Sequence, residues 1–105
     1  MKTTVLLCLS ALMTCAIARA EDHVVKQDDR TFSVTEITIK PGEALIFTNC
    51  DSVTHNVFSH SQANPFTIKV QKPGEATTVA FKEEGVTEVR CAIHPKMKIL
   101  VTVKQ

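Results

Sequence analysis

Three side chains that bind soft metal ions crowd into seven residues: Cys91-Ala92-Ile93-His94-Pro95-Lys96-Met97. A thiolate, an imidazole and a thioether at C-x2-H-x2-M spacing can converge on one point if a strand ends at the cysteine and a tight loop follows. Pro95 favours such a loop, because it fixes its own φ and restricts His94 before it. A thiolate with two imidazoles and a weak thioether is the donor set of blue-copper electron-transfer sites. Structural zinc would want more thiolates and no thioether. A binuclear copper centre would need a second cysteine in the loop.

The set lacks one imidazole. Beyond His94 the chain offers His23, His55 and His60. His55 follows a polar turn over residues 49–54 and opens the strand-like segment His55-Asn56-Val57-Phe58, so a sandwich can bring it beside Cys91. His60 reads as a solvated loop residue and His23 as part of a loose amino end. Another use of Cys91 competes with this one. A Cys50–Cys91 bridge would make an immunoglobulin-like disulfide domain, but the tryptophan expected to pack on that bridge is absent. If Cys91 serves a metal, Cys50 is left as a buried or half-buried residue near the site.

The elements that must position these residues read as β throughout. Phe32-Ser33-Val34, Ile37-Thr38-Ile39, Ala44 to Thr48, His55 to Phe58, Phe66 to Val70, Thr77 to Phe81, Val86 to Cys91 and Ile99 to Val103 are short apolar or alternating runs. Pro-Gly, Asn-Pro and Glu-Gly signals separate them. Seven to eight close-set strands without helical periodicity predict an all-β sandwich or barrel. Lys-Pro-Gly-Glu-Ala occurs at 40–44 and again at 72–76. Pro-Gly turns are common, and the echo is read as coincidence.

The chain has 105 residues, enough for one small domain. Residues 1–20 look like a removable leader. Lys2 is basic, Val5 to Ile17 is almost wholly apolar yet too short to span a bilayer, and Ala18-Arg19-Ala20 is a small-x-small cleavage site. The expected domain is therefore 21–105, exported to the periplasm, with no membrane anchor. Loss of Lys2 and Arg19 takes the basic count from 12 to 10 against 11 acidic residues, a formal charge of −1 that offers no general attraction to nucleic acid. Cleavage after Ala20 would also expose Glu21-Asp22-His23, whose amine, two amides and imidazole form a square-planar set for a second Cu(II) or Ni(II).

Two segments together resemble the cupredoxin family of type 1 blue-copper proteins, its amicyanin- and plastocyanin-like branch above all. Phe47-Thr48-Asn49-Cys50-Asp51 leading to His55-Asn56-Val57 is similar to the family's first-histidine segment, and Cys91 to Met97 to its short ligand loop. The resemblance implies a Greek-key β-sandwich with one type 1 copper at one end. It also implies His55 and His94 binding through Nδ1, a short bond to Cys91 and a long axial contact to Met97. Asn56 would brace the site, its amide donating to the Cys91 sulfur and its side chain tying the two ligand segments. Val89 and Thr87 stand where the family often has aromatics, and Lys98-Ile99-Leu100 runs into a strand where a glycine often follows.

The expected function is a monomeric electron carrier cycling Cu(I)/Cu(II), with no enzymatic activity of its own. Redox protein partners would dock at the exposed edge of His94, between Ile93 and Pro95, with Arg90, Lys96 and Lys98 adding local positive charge. A periplasmic copper chaperone or reservoir is the alternative, but such proteins rely on open, methionine-rich sites.

Overall fold

A computed structural model describes residues 22–105; the leader and cleavage site expected from the sequence lie outside them. Among the described residues nine strands form two sheets: β1 Asp22–Asp28, β2 Thr31–Phe32, β3 Glu36–Ile39, β4 Ala44–Asn49, β5 His55–Ser59, β6 Phe66–Gln71, β7 Ala76–Ala80, β8 Gly85–Cys91 and β9 Lys98–Val103. One sheet has the order β2-β1-β4-β7 and the other β3-β9-β8-β5-β6. The all-β sandwich read from the sequence is the fold observed, with more strands than expected. No helix among the described residues is long and apolar enough to cross a membrane.

The extra strand is β1. Its sequence, Asp22-His23-Val24-Val25-Lys26-Gln27-Asp28, carries too many polar residues to announce itself. It nevertheless pairs in parallel with β4 from Asp22↔Ala44 to Gln27↔Asn49, and it buries Val25 and Gln27 completely. His23 is therefore not at a loose end: its Nε2 lies 3.3 Å from Glu43 Oε1. The expected strand at 32–34 shrinks to the two residues of β2. Asp29 and Arg30 both take left-handed backbone conformations, φ 51° and 56°, in the two-residue turn that joins β1 to β2.

The repeated Lys-Pro-Gly-Glu segments are more than an echo. In both, the glutamate N–H donates to the lysine carbonyl at 3.0 Å, and the glutamate Oε1 accepts from the lysine N–H at 2.8 Å. The glycines take φ 94° and 89°, as a turn with Pro at its second position and Gly at its third requires. The two turns close opposite ends of the β4–β7 ladder: Phe81 N–H donates to Glu43 O, and Gly74 N–H to Asn49 O.

Between the sheets lie Val25, Leu45, Phe47, Val57, Phe81, Val89, Ile99, Val101 and Val103, all essentially buried. Phe47 meets Phe32 edge-on at 6.3 Å and stacks on Phe66 at 5.6 Å; each such pair adds about 0.5–1.5 kcal/mol beyond its buried area. This core fixes β4, β5 and β8, and their ends at one pole of the sandwich carry the candidate donors.

Candidate metal centre

Two strand ends and one loop make the site. Cys91 is the last residue of β8, whose partner β5 sets Val57 opposite Cys91. His55 is the first residue of β5. His94 and Met97 follow in the loop between β8 and β9, where Met97 N–H donates to His94 O at 3.0 Å to close a turn over Pro95 and Lys96. The tight loop expected from His94-Pro95 is present.

His55, Cys91 and His94 bring one donor atom each to within 4.8 Å of one another. Both imidazoles present Nδ1 to the sulfur: Cys91 Sγ is 3.6 Å from His55 Nδ1 and 3.8 Å from His94 Nδ1. First-row metal bonds of about 2.0–2.3 Å meeting at roughly 110–120° would hold sulfur and nitrogen about 3.6–3.8 Å apart, so these separations suit one shared ion. Cys91 is a buried, free thiol; the bridge to Cys50 weighed from the sequence is not formed. Met97 is 2% exposed and lies in the same core cluster as Cys91. His55 is fully buried, while His94 is partly open to solvent, so His94 is the donor that reaches the surface.

The polar frame around the donors is built by the chain itself. Asn56 N–H points at Cys91 Sγ, 3.4 Å away, as the resemblance implied. The tie between the two segments is a main-chain bond, Ala92 N–H to Asn56 O at 2.9 Å. Turn chemistry shapes the approach to His55. Asp51 N–H donates to Asn49 Oδ1, Ser52 N–H donates to Asp51 Oδ1, and Asn49 Nδ2 donates to Val53 O. Cys50 is half-buried at the end of β4, with its N–H donating to Gln27 O.

Asp51 has a further role that the sequence reading missed. Its Oδ2 lies 3.1 Å from His55 Nε2 and accepts from Arg30 N–H at 2.7 Å. Burial pushes the Asp51 carboxyl up, but the Arg30 and Ser52 N–H groups and His55 outweigh it and hold the carboxyl below its ordinary value. Burial lowers His55 against the opposing pull of Asp51. The ring is thereby favoured in its neutral, metal-binding form. An acidic residue four before the histidine, in an Asn-x-Asp turn, was the available signal.

Around His94 the surface is a shallow hollow lined by Arg30, Ile93, His94, Pro95 and Lys96, with Ile93 52% exposed. Of the cations expected there, Arg90 instead donates to Pro95 O and sits 3.6 Å from Glu88, and Lys98 is 4.0 Å from the same carboxylate. Arg30, from the β1–β2 turn, is the cation the sequence did not place. His60 is an exposed residue whose ring lies tilted against Phe58, 4.7 Å between ring centroids. It contributes nothing to the donor cluster. Glu21 lies outside the described residues, and with it the square-planar set at the amino end.

Comparison with known proteins agrees with this geometry. Residues 20–104 match the profile of the copper-binding proteins of the plastocyanin/azurin family. Amicyanin-alpha of Methylorubrum extorquens is 32% identical over 106 residues, covering 96% of this chain and 87% of that protein. The crystal structure of amicyanin from Paracoccus versutus superposes with a TM-score of 0.72 at 27% identity, covering 86% of this chain and 88% of the other. A purple cupredoxin from Nitrosopumilus maritimus superposes at 0.70 and 27% identity, over 79% of this chain and 100% of its own.

Proposed function

The chain belongs to the copper-binding plastocyanin/azurin family, whose cofactor is one type 1 copper ion, and we propose that His55, Cys91, His94 and Met97 hold that ion for electron transfer. The observation that carries the reading is the convergence of His55 Nδ1 and His94 Nδ1 on Cys91 Sγ. Met97 enters through its burial in the same core cluster as Cys91 and its place in the loop.

When bound, copper supplies a one-electron Cu(I)/Cu(II) couple. The protein's task is to keep the donors still as the charge changes. Soft sulfur suits Cu(I) and imidazole suits both states. The strand ends hold Cys91 and His55, the Pro95 turn holds His94 and Met97, and the Asn56 N–H donates to the sulfur and tunes its electron density. Asp51 keeps the proton of His55 on Nε2 and leaves Nδ1 for the metal.

The electron leaves through the partly exposed ring of His94. A redox protein with an apolar contact zone and a mildly acidic rim fits the hollow there, between Ile93, Pro95, Arg30 and Lys96. Residues 1–20 act as a removed leader, and the carrier works as a periplasmic, monomeric shuttle.

A copper chaperone would use the same ligands but give up the metal. Mixing the Cu(I) form with a Cu(I) chelator, and separately with an oxidised small redox protein, separates the two. A shuttle keeps its copper and passes the electron quickly. Rapid loss of copper with slow electron exchange would favour the chaperone.

A further inference from the structure

Strand β6 does not follow its own sequence pattern. Phe66-Thr67-Ile68-Lys69-Val70 alternates, which would point Val70 inward and Gln71 to solvent. The pairing with β5 sets His55 opposite Gln71 and Val57 opposite Ile68. One residue, Asn56, thus faces two, Lys69 and Val70. This is a β-bulge, a feature that re-aims side chains and gathers near functional sites. Its result is an inversion: Val70 is 60% exposed and Gln71 is fully buried.

The inward Gln71 joins the two sheets. Its Nε2 donates to Phe47 O of β4 at 2.9 Å and to Thr77 Oγ1 of β7 at 3.1 Å. Its Oε1 accepts from Gln27 Nε2 of β1 at 2.5 Å. One side chain from the second sheet therefore reaches three adjacent strands of the first. Its carbonyl continues the path, accepting from Asn49 Nδ2 at 2.9 Å. Asn49 in turn holds Val53 O and Asp51 N–H, and Asp51 holds His55 Nε2.

Stability alone does not favour this arrangement. A valine is turned out to water so that two carboxamides can be buried, and Gln27 Oε1 finds no hydrogen-bond partner among the described residues. A partly satisfied polar pair in a core is disfavoured against apolar side chains of similar size.

We infer that Gln71, re-aimed by the bulge and anchored by Gln27, is a positioning residue that fixes the 49–55 segment, and so His55, in its metal-binding place before copper arrives. The inference rests on the copper reading above.

The test is the Gln27→Leu/Gln71→Leu pair in the full protein, with Cu(II) as the probe. Both polar partners go together, so neither is left orphaned. Three quantities are read: chemical unfolding of the metal-free protein, Cu(II) affinity by chelator competition, and the thiolate-to-copper absorption and electron paramagnetic resonance spectra. The expected result is a metal-free protein as stable as the wild type or more so, with copper bound of the order of tenfold more weakly and an altered spectrum. Affinity and spectrum equal to wild type would overturn the inference and leave the pair as core filling. Should the double variant fail to fold, Gln27→Leu alone decides by the same readouts: a smaller shift in the same direction supports the inference, and none overturns it. A wild-type protein without thiolate-to-copper absorption would instead defeat the copper reading itself.

Discussion

Asp51 Oδ2 stands 3.1 Å from His55 Nε2, while Nδ1 of the same ring stands 3.6 Å from Cys91 Sγ. In the proposed copper site the two nitrogens have opposite duties, one a donor to carboxylate and the other a lone pair for metal. Outer partners of this type set ring tautomer and orientation, and their loss typically costs about 10–100-fold in metal affinity. Asp51→Ala is expected to weaken Cu(II) binding within that range, and Asp51→Asn, which keeps an acceptor without the charge, by less. Chelator competition measures both; wild-type affinity in Asp51→Ala would remove Asp51 from the account.

The metal-free protein should lose stability in acid in two stages. His55 titrates below its ordinary value in the fold because it is buried, so the unfolded chain takes up that proton first. Its contribution is intact above an unfolded histidine value of about 6.5 and is lost as pH falls through the folded value beneath it. Asp51 is also depressed in the fold, its burial being outweighed by the Arg30 and Ser52 N–H groups and by His55. Its contribution is intact above about 3.9 and is lost as pH falls through its lower folded value. Urea unfolding of the metal-free protein across this range measures it. His55→Gln should flatten the upper stage, and an unchanged upper stage would contradict the assignment.

Met97 is buried in the core and is the proposed fourth donor, and the two roles can be separated. Met97→Leu conserves volume and should cost under about 1.5 kcal/mol in the metal-free protein, whereas Met97→Ala should cost about 2–5 kcal/mol. Both remove the proposed fourth donor, and because Cu(I) tolerates a lower coordination number better than Cu(II), both should raise the reduction potential. Voltammetry beside urea unfolding reads the pair. A potential unchanged in Met97→Leu would show that the sulfur does not reach the ion.

The charges around His94 are not equivalent. Glu88 lies near both Arg90 and Lys98, while Arg30 and Lys96 line the hollow beside His94. Reversal of the latter pair, Arg30→Glu and Lys96→Glu, should slow electron transfer to an acidic redox protein and weaken its dependence on salt. Reversal of Lys98 should do much less. Equal effects from the two sets, in stopped-flow mixing at low and high salt, would reject the ranking.

The candidate site was legible where spacing carried it, and the fold where alternation did. Cys91, His94 and Met97 could be read together because one loop holds them, and His55 because a polar turn precedes its strand. Strand β1 was not legible, since its inward residues include Gln27, whose burial depends on a partner 44 residues away. The exposure of Val70 and the burial of Gln71 were not legible for a related reason: a bulge is a property of two strands, and β6 alone gives no sign of it. Arg30 could not be placed at the site without the left-handed turn that carries its N–H to Asp51.

The central claim is that one copper ion sits on Cys91 between two imidazoles. Titration of the metal-free protein with Cu(II), followed by visible absorption, tests it most directly. The account predicts an intense thiolate-to-Cu(II) band that saturates at one equivalent, bleaches on reduction, returns on reoxidation and is absent in Cys91→Ser. No such band in the wild type, or the same band in Cys91→Ser, would contradict it.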